Sequence, residues 1–256
     1  MDALILAAGF GSRLRALGDS KPLACVAGVP LIELSVRMAA QAGAERVVVA
    51  TGHRAAAVED CLAALGREID VEIASERIAH YSRPNGYSVL AGASRIPGDY
   101  LLIMADHILN AAILRGLVRC GGADRGVTLA VDRRVADPVL DPDDATWVRR
   151  DARGRIAAIG KTLEHYDAVD CGAFLATPEL ADAIRRAIAR GRPGSVSDGM
   201  QILADEGRAA TMDIGDARWI DVDDPRAHAI AEDWLRRRFR EVLGDDWRPR
   251  QWRHAA

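Results

Sequence analysis

The sequence predicts a single α/β domain in which helices flank a mixed, mostly parallel sheet. Apolar runs with the composition of buried strands occupy residues 3–8, Arg46–Thr51 and 100–105. Segments with helical apolar spacing, such as 30–42 and Ala55–Leu65, separate these runs. Strands that alternate with helices of this length form βαβ units, so we expect a Rossmann-like core. After residue 126 short strands follow one another with only turns between them, which predicts an antiparallel excursion that folds over the sheet.

The remaining elements follow from the same periodicity and from turn residues. Gly43 and Gly66 end the first two helices, as glycine commonly does just past a helix C-terminus. The Asp-Ala-Arg-Gly sequence at 151–154 predicts a hairpin turn. We also expect a strand at 71–74, a short helix ending near residue 93, strands at 127–132, 146–150, 155–159, 169–176 and 209–213, and helices at 178–190, 196–205 and 224–243.

Composition limits the class of protein. Of the 256 residues 49% are hydrophobic, enough for a large core, and the formal net charge of −3 gives no reason to expect nucleic acid as a partner. The N-terminus lacks the features of a signal peptide, and no run of about eighteen apolar residues is present. The four cysteines lack the C-x-x-C spacing of a zinc site. We therefore expect a cytoplasmic protein that is not a membrane protein.

A glycine turn follows the first strand and is typical of a phosphate-binding site. In Gly9-Phe10-Gly11-Ser12 the two glycines allow backbone N–H groups to approach an anion, and Arg13 and Lys21 add positive charge. A dinucleotide fingerprint requires a third glycine where Leu14 stands, which disfavours a dinucleotide-dependent oxidoreductase. A P-loop requires a glycine five residues before Gly-Lys-Ser or Gly-Lys-Thr, and the Gly-Lys-Thr at 160–162 has Arg155 in place of that glycine.

The use of lysine points to two functional positions. Of the 34 basic side chains only Lys21 and Lys161 are lysines. An ammonium is a compact point charge, whereas a guanidinium is a wide planar fork. We interpret the two lysines as compact cations that contact phosphate oxygens. The alternative is that these two lysines were retained by chance.

Carboxylates at the ends of strands are candidate metal ligands. Asp106 follows the buried run 100–105, and the carboxyl ends of parallel strands carry the ligands of such a sheet. The alternative role for Asp106 is that of a helix N-cap. Asp221 and Asp223 lie in Trp-Ile-Asp-Val-Asp, where the alternation of a strand would place both on one face.

The complete set of motifs resembles the CTP:inositol-1-phosphate cytidylyltransferases, members of the sugar-phosphate nucleotidyltransferase-like family. The resemblance covers nearly the whole chain. It is carried by Leu-Ala-Ala-Gly-x-Gly-Ser-Arg-Leu at 6–14, Met-Ala-Asp-His-Ile at 104–108, Ile-Gly-Lys at 159–161, Tyr-Asp-Ala-Val-Asp-Cys-Gly-Ala-Phe at 166–174 and Trp-Ile-Asp-Val-Asp at 219–223.

The resemblance implies an enzyme that transfers CMP from CTP to a small phosphorylated alcohol and releases pyrophosphate. Inositol-1-phosphate is the acceptor that the resemblance favours. Mg²⁺ is the implied cofactor, since carboxylates and phosphate oxygens are its usual ligands. The implied catalytic residues are Arg13, Lys21 and Lys161. The implied nucleotide-binding residues are Ala7, Ala8, Gly9, Gly11, Ser12, Asn85, Gly86 and Ser88. The metal would be held by Asp106 and Asp223, with Asp221 as the alternative to Asp223, and the acceptor by Lys161, Asp170, Gly172 and His107.

Several alternatives to this function stay open. Cytidylyltransferases for phosphocholine or small phosphonates share the scaffold, although aromatic residues make up only 5% of the chain, which lowers the case for a cage around choline. Hexose-1-phosphate nucleotidyltransferases that use another NTP are similar at the glycine turn. They usually have Asp-Asn in place of Asp106-His107 and Glu-Lys-Pro in place of residues 160–162. An inactive nucleotide-binding regulator is the alternative that is not an enzyme.

The resemblance also implies a division of the chain and a partner. We expect one domain at 1–240, with a nucleotide half at 1–126, an acceptor half at 127–223 that covers the acceptor site, and a basic tail at 244–256. In archaeal relatives this domain is fused to a membrane-embedded CDP-alcohol transferase. Because no such span is present, we expect that partner to be a separate polypeptide, and a homodimer stays open. The tail is interpreted as a solvated face, with docking to an acidic membrane as the alternative.

Overall fold

The computed structural model describes residues 1–11, 13–14, 18–121 and 126–243. Ser12 and the basic tail at 244–256 lie outside the described residues, so the predictions made for them are not followed further. Within the described ranges no helix is both long enough and apolar enough to cross a bilayer.

The elements alternate along the first half of the chain as predicted. The strands are β1 (Asp2–Ala7), β2 (Cys25–Val26), β3 (Val29–Pro30), β4 (Arg46–Thr51), β5 (Glu72–Arg77), β6 (Tyr100–Met104), β7 (His107–Leu109), β8 (Val127–Asp132), β9 (Trp147–Arg150), β10 (Ile156–Gly160), β11 (Ala168–Ala176), β12 (Ala209–Asp213) and β13 (Trp219–Asp221). The helices are α1 (Leu31–Gln41), α2 (Ala55–Leu65), α3 (Gly86–Ala93), α4 (Ala111–Cys120), α5 (Pro178–Ala189), α6 (Val196–Asp205) and α7 (Pro225–Leu243), and a 3-10 turn covers Lys21–Leu23.

In the described part of the chain nine strands form the main sheet. Its order is β10-β9-β11-β6-β1-β4-β5, and β8 joins β11 to β12. The strands β5, β4, β1 and β6 run parallel, with Ala7 opposite Thr51 and Leu6 opposite Met104. Their carboxyl ends therefore lie along one edge of the sheet, which places the glycine turn after β1 next to the residues after β6. The predicted mixed sheet with flanking helices is confirmed.

Both faces of the sheet are buried, as a parallel sheet requires. Along β1 the side chains alternate between two apolar clusters, so that Ala3 and Ile5 pack on one face and Leu4 and Leu6 on the other. Helices α1, α2, α4 and α7 supply the first cluster, and α3, α5 and α6 supply the second. Helices thus cover both faces of the sheet, and the carboxyl ends of its parallel strands are the part that these helices leave accessible.

The antiparallel excursion is present, but it continues the main sheet. Strand β11 pairs antiparallel with β6 and with β8, and the hairpin β9–β10 extends the sheet beyond β11. Gly154 closes that hairpin, where its N–H donates to the carbonyl of Asp151. The strands thus form no separate domain. The part that this half takes in covering an acceptor stays a prediction.

The structure corrects one prediction about the strand ends and rules out one alternative. Strand β13 ends at Asp221, so Asp221 and Asp223 are not on one face of a strand. Instead Val222 N–H donates to the carbonyl of Asp106, which ties the two chain segments together. Asp106 is not a helix N-cap, because the short strand β7 follows it and pairs with β13. No helix was predicted at α4, which begins after Asn110, where the side chain accepts a hydrogen bond from Ala112 N.

Candidate active site

The glycine turn packs directly against Lys21. Gly11 has a φ of +59°, and a Cβ built on it would collide with the Lys21 side chain. Glycine is therefore required at this position for both its conformation and its size. A cavity of about 230 Å³ opens between the turn and the end of β6, lined by Leu6, Ala7, Gly9, Gly11, Arg13, Lys21, Pro22, Ala105, Asp106 and Asp223.

Lys21 lies among the three predicted metal-binding carboxylates. Its Nζ is 2.6 Å from Asp106 Oδ2, forms an ion pair with Asp223 Oδ1 and lies 4.0 Å from Asp221 Oδ1. The Lys21 side chain is only 10% exposed. The structure thus brings together residues that are far apart in the sequence and that the sequence predicted as one site.

His107 holds Asp106 in place. Its Nδ1 lies 2.7 Å from Asp106 Oδ1, and its ring stacks on Trp219 with centroids 5.6 Å apart. Trp219 is itself fixed, because its Nε1–H donates to Asp132 Oδ2 at 3.0 Å. Burial lowers the pKa of His107, but the Asp221 charge and the hydrogen bond to Asp106 outweigh it and raise the pKa to about 9. A charged imidazole beside Asp106 stabilises its carboxylate.

The pKa values of Asp106 and Asp221, both buried carboxylates, shift in opposite directions. Burial opposes the ionisation of Asp106, yet the charges of Lys21 and His107 hold its pKa below the usual range. For Asp221 burial prevails and raises the pKa. Asp221 Oδ1 is buried, and the residues that the structure describes offer it no hydrogen-bond partner. An unsatisfied carboxylate oxygen of this kind is a ready cation ligand.

Ligand atoms in this cluster are close enough together to hold a metal ion. Oxygens of Asp144, Asp221 and Asp223 lie within 4.8 Å of one another, and so do ligand atoms of Asp106, His107 and Asp221. Carboxylate oxygens are the hard donors that Mg²⁺ prefers. The donor chemistry therefore fits the predicted magnesium, with Asp221 common to both groups.

Arg13 connects the glycine turn to the opposite wall of the site. Its Nη2 donates to Asp144 Oδ2 and to Asp223 Oδ2, each at 2.5 Å, and its Nη1 lies 3.6 Å from Asp141 Oδ2. The hydrogen bond to Asp144 is the main reason that the pKa of Arg13 is raised. Arg13 is thus held among three acidic side chains.

Asp144 is a site residue that the sequence did not reveal. One oxygen accepts from Arg13, and the other lies 2.5 Å from Lys161 Nζ. Burial raises the pKa of Asp144, but Lys161 and Arg13 outweigh burial and lower it. Asp144 belongs to an irregular acidic loop before β9, and no motif or periodicity distinguishes it from its neighbours Asp141 and Asp143.

Of the predicted acceptor residues, Asp170 and Gly172 pack beside His107, whereas Lys161 contacts Asp144. Asp170 Oδ1 accepts from Gly172 N at 2.7 Å, and burial raises the pKa of Asp170 to about 6. Gly172 has a φ of +71°, and a Cβ there would collide with the His107 ring. The structure gives Gly172 a packing role, and the contacts of all three residues with an acceptor stay predictions.

The predicted nucleotide-binding residues at the start of α3 pack against a neighbouring loop. Asn85 Oδ1 accepts from Val196 N at 2.9 Å, and a Cβ on Gly86 would collide with the carbonyl of Gly194. Ser88 is buried, as are Ala7 and Ala8 at the end of β1. These contacts explain the asparagine and the glycine at the start of α3. A role of these residues in nucleotide binding stays a prediction.

A match to the MobA-like NTP transferase domain covers residues 3–195. The chain belongs to this family. Its predicted resemblance to nucleotidyltransferases is thereby confirmed.

Individual relatives and solved structures are similar to most of the chain. The chain is 38% identical over 235 residues to the bifunctional IPC transferase and DIPP synthase of Rubrobacter xylanophilus, covering 91% of this chain and 51% of that protein. It is 29% identical over 245 residues to the protein of the same name from Aquifex aeolicus, covering 95% and 54%. The chain thus spans about half the length of these curated relatives. The inositol-1-phosphate CTP transferase from T. maritima superposes with a TM-score of 0.77 at 24% identity, covering 91% of this chain and 96% of that one, which confirms the fold class.

Proposed function

We propose that the protein transfers CMP from CTP to inositol-1-phosphate and releases pyrophosphate. One observation carries the proposal: Lys21 is set among Asp106, Asp221 and Asp223 beside the glycine turn, and a continuous set of ion pairs joins it to Lys161. This arrangement offers two cationic positions on either side of a carboxylate cluster, one for each phosphorylated substrate. The names of the relatives from R. xylanophilus and T. maritima support the choice of substrates.

The reaction is an in-line displacement at the α-phosphorus of CTP. An oxygen of the acceptor phosphate forms the new P–O bond, the bond to the β-phosphate breaks, and pyrophosphate leaves with that electron pair. The phosphate monoester is already ionised near neutral pH, so no general base is needed. The demand on the protein is to neutralise two anions and the charge that grows at the reacting phosphorus.

Each cationic residue of the site would neutralise the phosphate group that lies nearest to it. Gly9, Gly11 and Arg13 would bind the β- and γ-phosphates, and Lys21 would contact the α-phosphate. Lys161 would bind the acceptor phosphate and Asp170 an acceptor hydroxyl. A cavity of about 580 Å³ lies beside Asp144, Asp221 and Asp223, between the loop before β9 and α7, and gives room for a small alcohol.

Mg²⁺ is part of the proposal. Asp106, Asp221 and Asp223 would hold it, supported by the unpartnered Oδ1 of Asp221 and by the oxygen donors clustered around it. Bound there, the ion would neutralise charge on the phosphates of CTP. His107 would keep Asp106 oriented towards the ion through the hydrogen bond from Nδ1.

The product would be a CDP-alcohol, an activated donor for phosphodiester formation. We therefore propose a membrane CDP-alcohol transferase as the enzyme that consumes it. A cytoplasmic location and a homodimer stay predictions.

A panel of substrates tests the proposal. CTP, UTP, dTTP and ATP are each combined with inositol-1-phosphate, a hexose-1-phosphate, phosphocholine and 2-hydroxyethylphosphonate, and pyrophosphate release is measured with magnesium. We expect the highest kcat/KM for CTP with inositol-1-phosphate. Faster release with UTP or dTTP and a hexose-1-phosphate would assign the chain to the sugar nucleotidyltransferases, and no release with any pair would indicate a nucleotide-binding regulator.

A further inference from the structure

Asp144 joins the nucleotide half of the site to the acceptor half. Its two oxygens bind different cations, Oδ2 to Arg13 Nη2 and Oδ1 to Lys161 Nζ, each at 2.5 Å. These are the cations that the proposed function assigns to the phosphates of the two substrates. A single carboxylate therefore occupies the donors that both phosphates need.

These contacts are charge-assisted and partly shielded from water. The Asp144 side chain is 20% exposed, while that of Lys161 is 56% exposed. Ion pairs with hydrogen bonds of this length are stronger than neutral hydrogen bonds, and partial burial reduces their screening. Asp144 thus neutralises charge on both cations.

The loop before β9 is shaped to present this carboxylate. The N–H groups of Asp144 and Ala145 both donate to the carbonyl of Asp141, which forms a tight turn. Asp141 itself lies 3.6 Å from Arg13. At the end of the loop the carbonyl of Thr146 accepts from Asp170 N, which anchors the loop to β11. The backbone therefore holds Asp144 at a fixed place between the two halves.

We propose that Asp144 is a positioning residue that holds Arg13 and Lys161 between turnovers and exchanges them for the phosphates of the substrates and of pyrophosphate. The inference rests on the proposed function. A phosphate and a carboxylate compete for the same N–H donors, so a phosphate that binds Arg13 or Lys161 through these donors displaces Asp144 from that cation. When Asp144 binds Arg13 again, it competes with pyrophosphate for this cation and so favours the release of pyrophosphate.

This exchange has a defined effect on affinity. Neutralising Asp144 removes the competing anion, so phosphate-bearing ligands bind more tightly. It also slows the release of pyrophosphate, so kcat falls while the KM values for both substrates fall as well, if release limits turnover. A residue that served only to shape the loop would weaken binding when changed.

The test compares Asp144→Asn with Asp143→Asn by titration calorimetry with inorganic pyrophosphate and magnesium at low ionic strength. Asp143 lies on the same loop and is exposed, and within the described residues its carboxylate contacts neither cation. Both changes remove one negative charge from the loop. We expect Asp144→Asn to bind pyrophosphate about five- to tenfold more tightly than the parent, since each lost contact is charge-assisted. Asp143→Asn should stay within about twofold of the parent, as expected for an exposed charge.

Further variants separate the outcomes. Asp144→Glu keeps the charge and should restore affinity close to that of the parent. Equal or weaker binding by Asp144→Asn, or the same gain from Asp143→Asn, would overturn the inference. If neither Asp144→Asn nor Asp144→Ser gives a cooperative unfolding transition, Asp144 is structural and the inference also fails. A parent protein that binds no pyrophosphate at all would instead contradict the proposed function.

Discussion

Lys21 and Lys161 lie at opposite ends of one set of ion pairs, and their surroundings differ. Lys21 is almost fully buried among carboxylates, while Lys161 is more than half exposed and contacts Asp144. A buried ammonium among three acids has little room for the wider guanidinium fork. The exposed Lys161 has room for a larger side chain. A requirement for lysine there would therefore come from the acceptor phosphate that it would bind.

We expect Lys21→Ala to lower kcat and kcat/KM together by about a hundredfold or more, because an electrostatic contact to the reacting phosphate is lost. Lys161→Ala should raise the KM for the acceptor and leave the KM for CTP nearly unchanged. Lys→Arg at either position should not restore activity. Steady-state kinetics with each substrate varied checks all three expectations, and full activity of both arginine variants would show that the lysines were retained by chance.

The carboxylates allow a second test at this scale. Asp223 contacts both Lys21 and Arg13, whereas Asp221 is 4.0 Å from Lys21 and does not contact Arg13 within the described interactions. Loss of Asp223 would therefore remove a metal ligand and also release two cations. We expect Asp106→Ala and Asp223→Ala to abolish turnover while the fold persists, and Asp221→Ala to be less damaging.

Pyrophosphate release and circular dichroism measured on the same preparations check this order. Greater damage from Asp221→Ala would make Asp221, with its unpartnered oxygen, the principal ligand beside Asp106. Full activity of the parent protein in EDTA would remove the metal from the mechanism.

At the scale of the elements, the accuracy of the sequence prediction depended on the length of each element. Strands β4, β8 and β12 and helices α2 and α6 match their predicted bounds. β4 and β8 are rich in β-branched residues, Gly66 follows α2, and Ser195 caps α6. Strands β2, β3, β7 and β13 are two or three residues long, too short for a periodic pattern. Two of them, β7 and β13, bring Asp221 to Asp106, so the geometry of the metal cluster could not be predicted in detail.

The site shows the same limit at single positions. Arg13, Lys21 and Asp106 could be placed together because each follows or joins a strand at the carboxyl edge of a parallel sheet. Asp144 could not, since its position depends on how an irregular loop returns to β9. Gly86 was predicted as a nucleotide-binding residue from a motif, and the structure adds a packing requirement that no sequence pattern expresses.

Gly86→Ala tests that requirement. A Cβ there would meet the backbone carbonyl of Gly194, and backbone cannot give way as a flexible side chain can. We expect a loss of about 1–3 kcal/mol in the free energy of unfolding, the usual cost of overpacking. Gly98→Ala is the matched control, because a Cβ on Gly98 meets nothing within 4 Å. Urea denaturation measures both, and equal stability of the two variants would contradict close packing of α3 on the loop at 194–196.

At the scale of the whole molecule, the carboxylates that the structure describes in the site are at least as many as its cations. Arg13, Lys21 and Lys161 are each paired with a carboxylate, so the phosphates of CTP would enter a site that already contains Asp106, Asp144, Asp221 and Asp223. Added negative charge in a partly buried site is costly unless a cation accompanies it. Nucleotide binding should therefore depend on magnesium, independently of any effect of the ion on chemistry.

Thermal unfolding measures this dependence without turnover. A ligand present at a hundred times its Kd stabilises the folded state by about 2.7 kcal/mol, which corresponds to a rise in Tm of roughly 5–10 °C for a chain of this size. We expect that rise with CTP and magnesium, and a much smaller one with CTP in EDTA or with UTP and magnesium at the same concentration. Asp106→Ala should lose the magnesium-dependent part of the rise, because the ion would lack a ligand that joins it to the sheet. An equal rise with CTP in EDTA would mean that Arg13 and Lys21 alone neutralise the triphosphate, and that the carboxylate cluster does not bind the metal with the nucleotide.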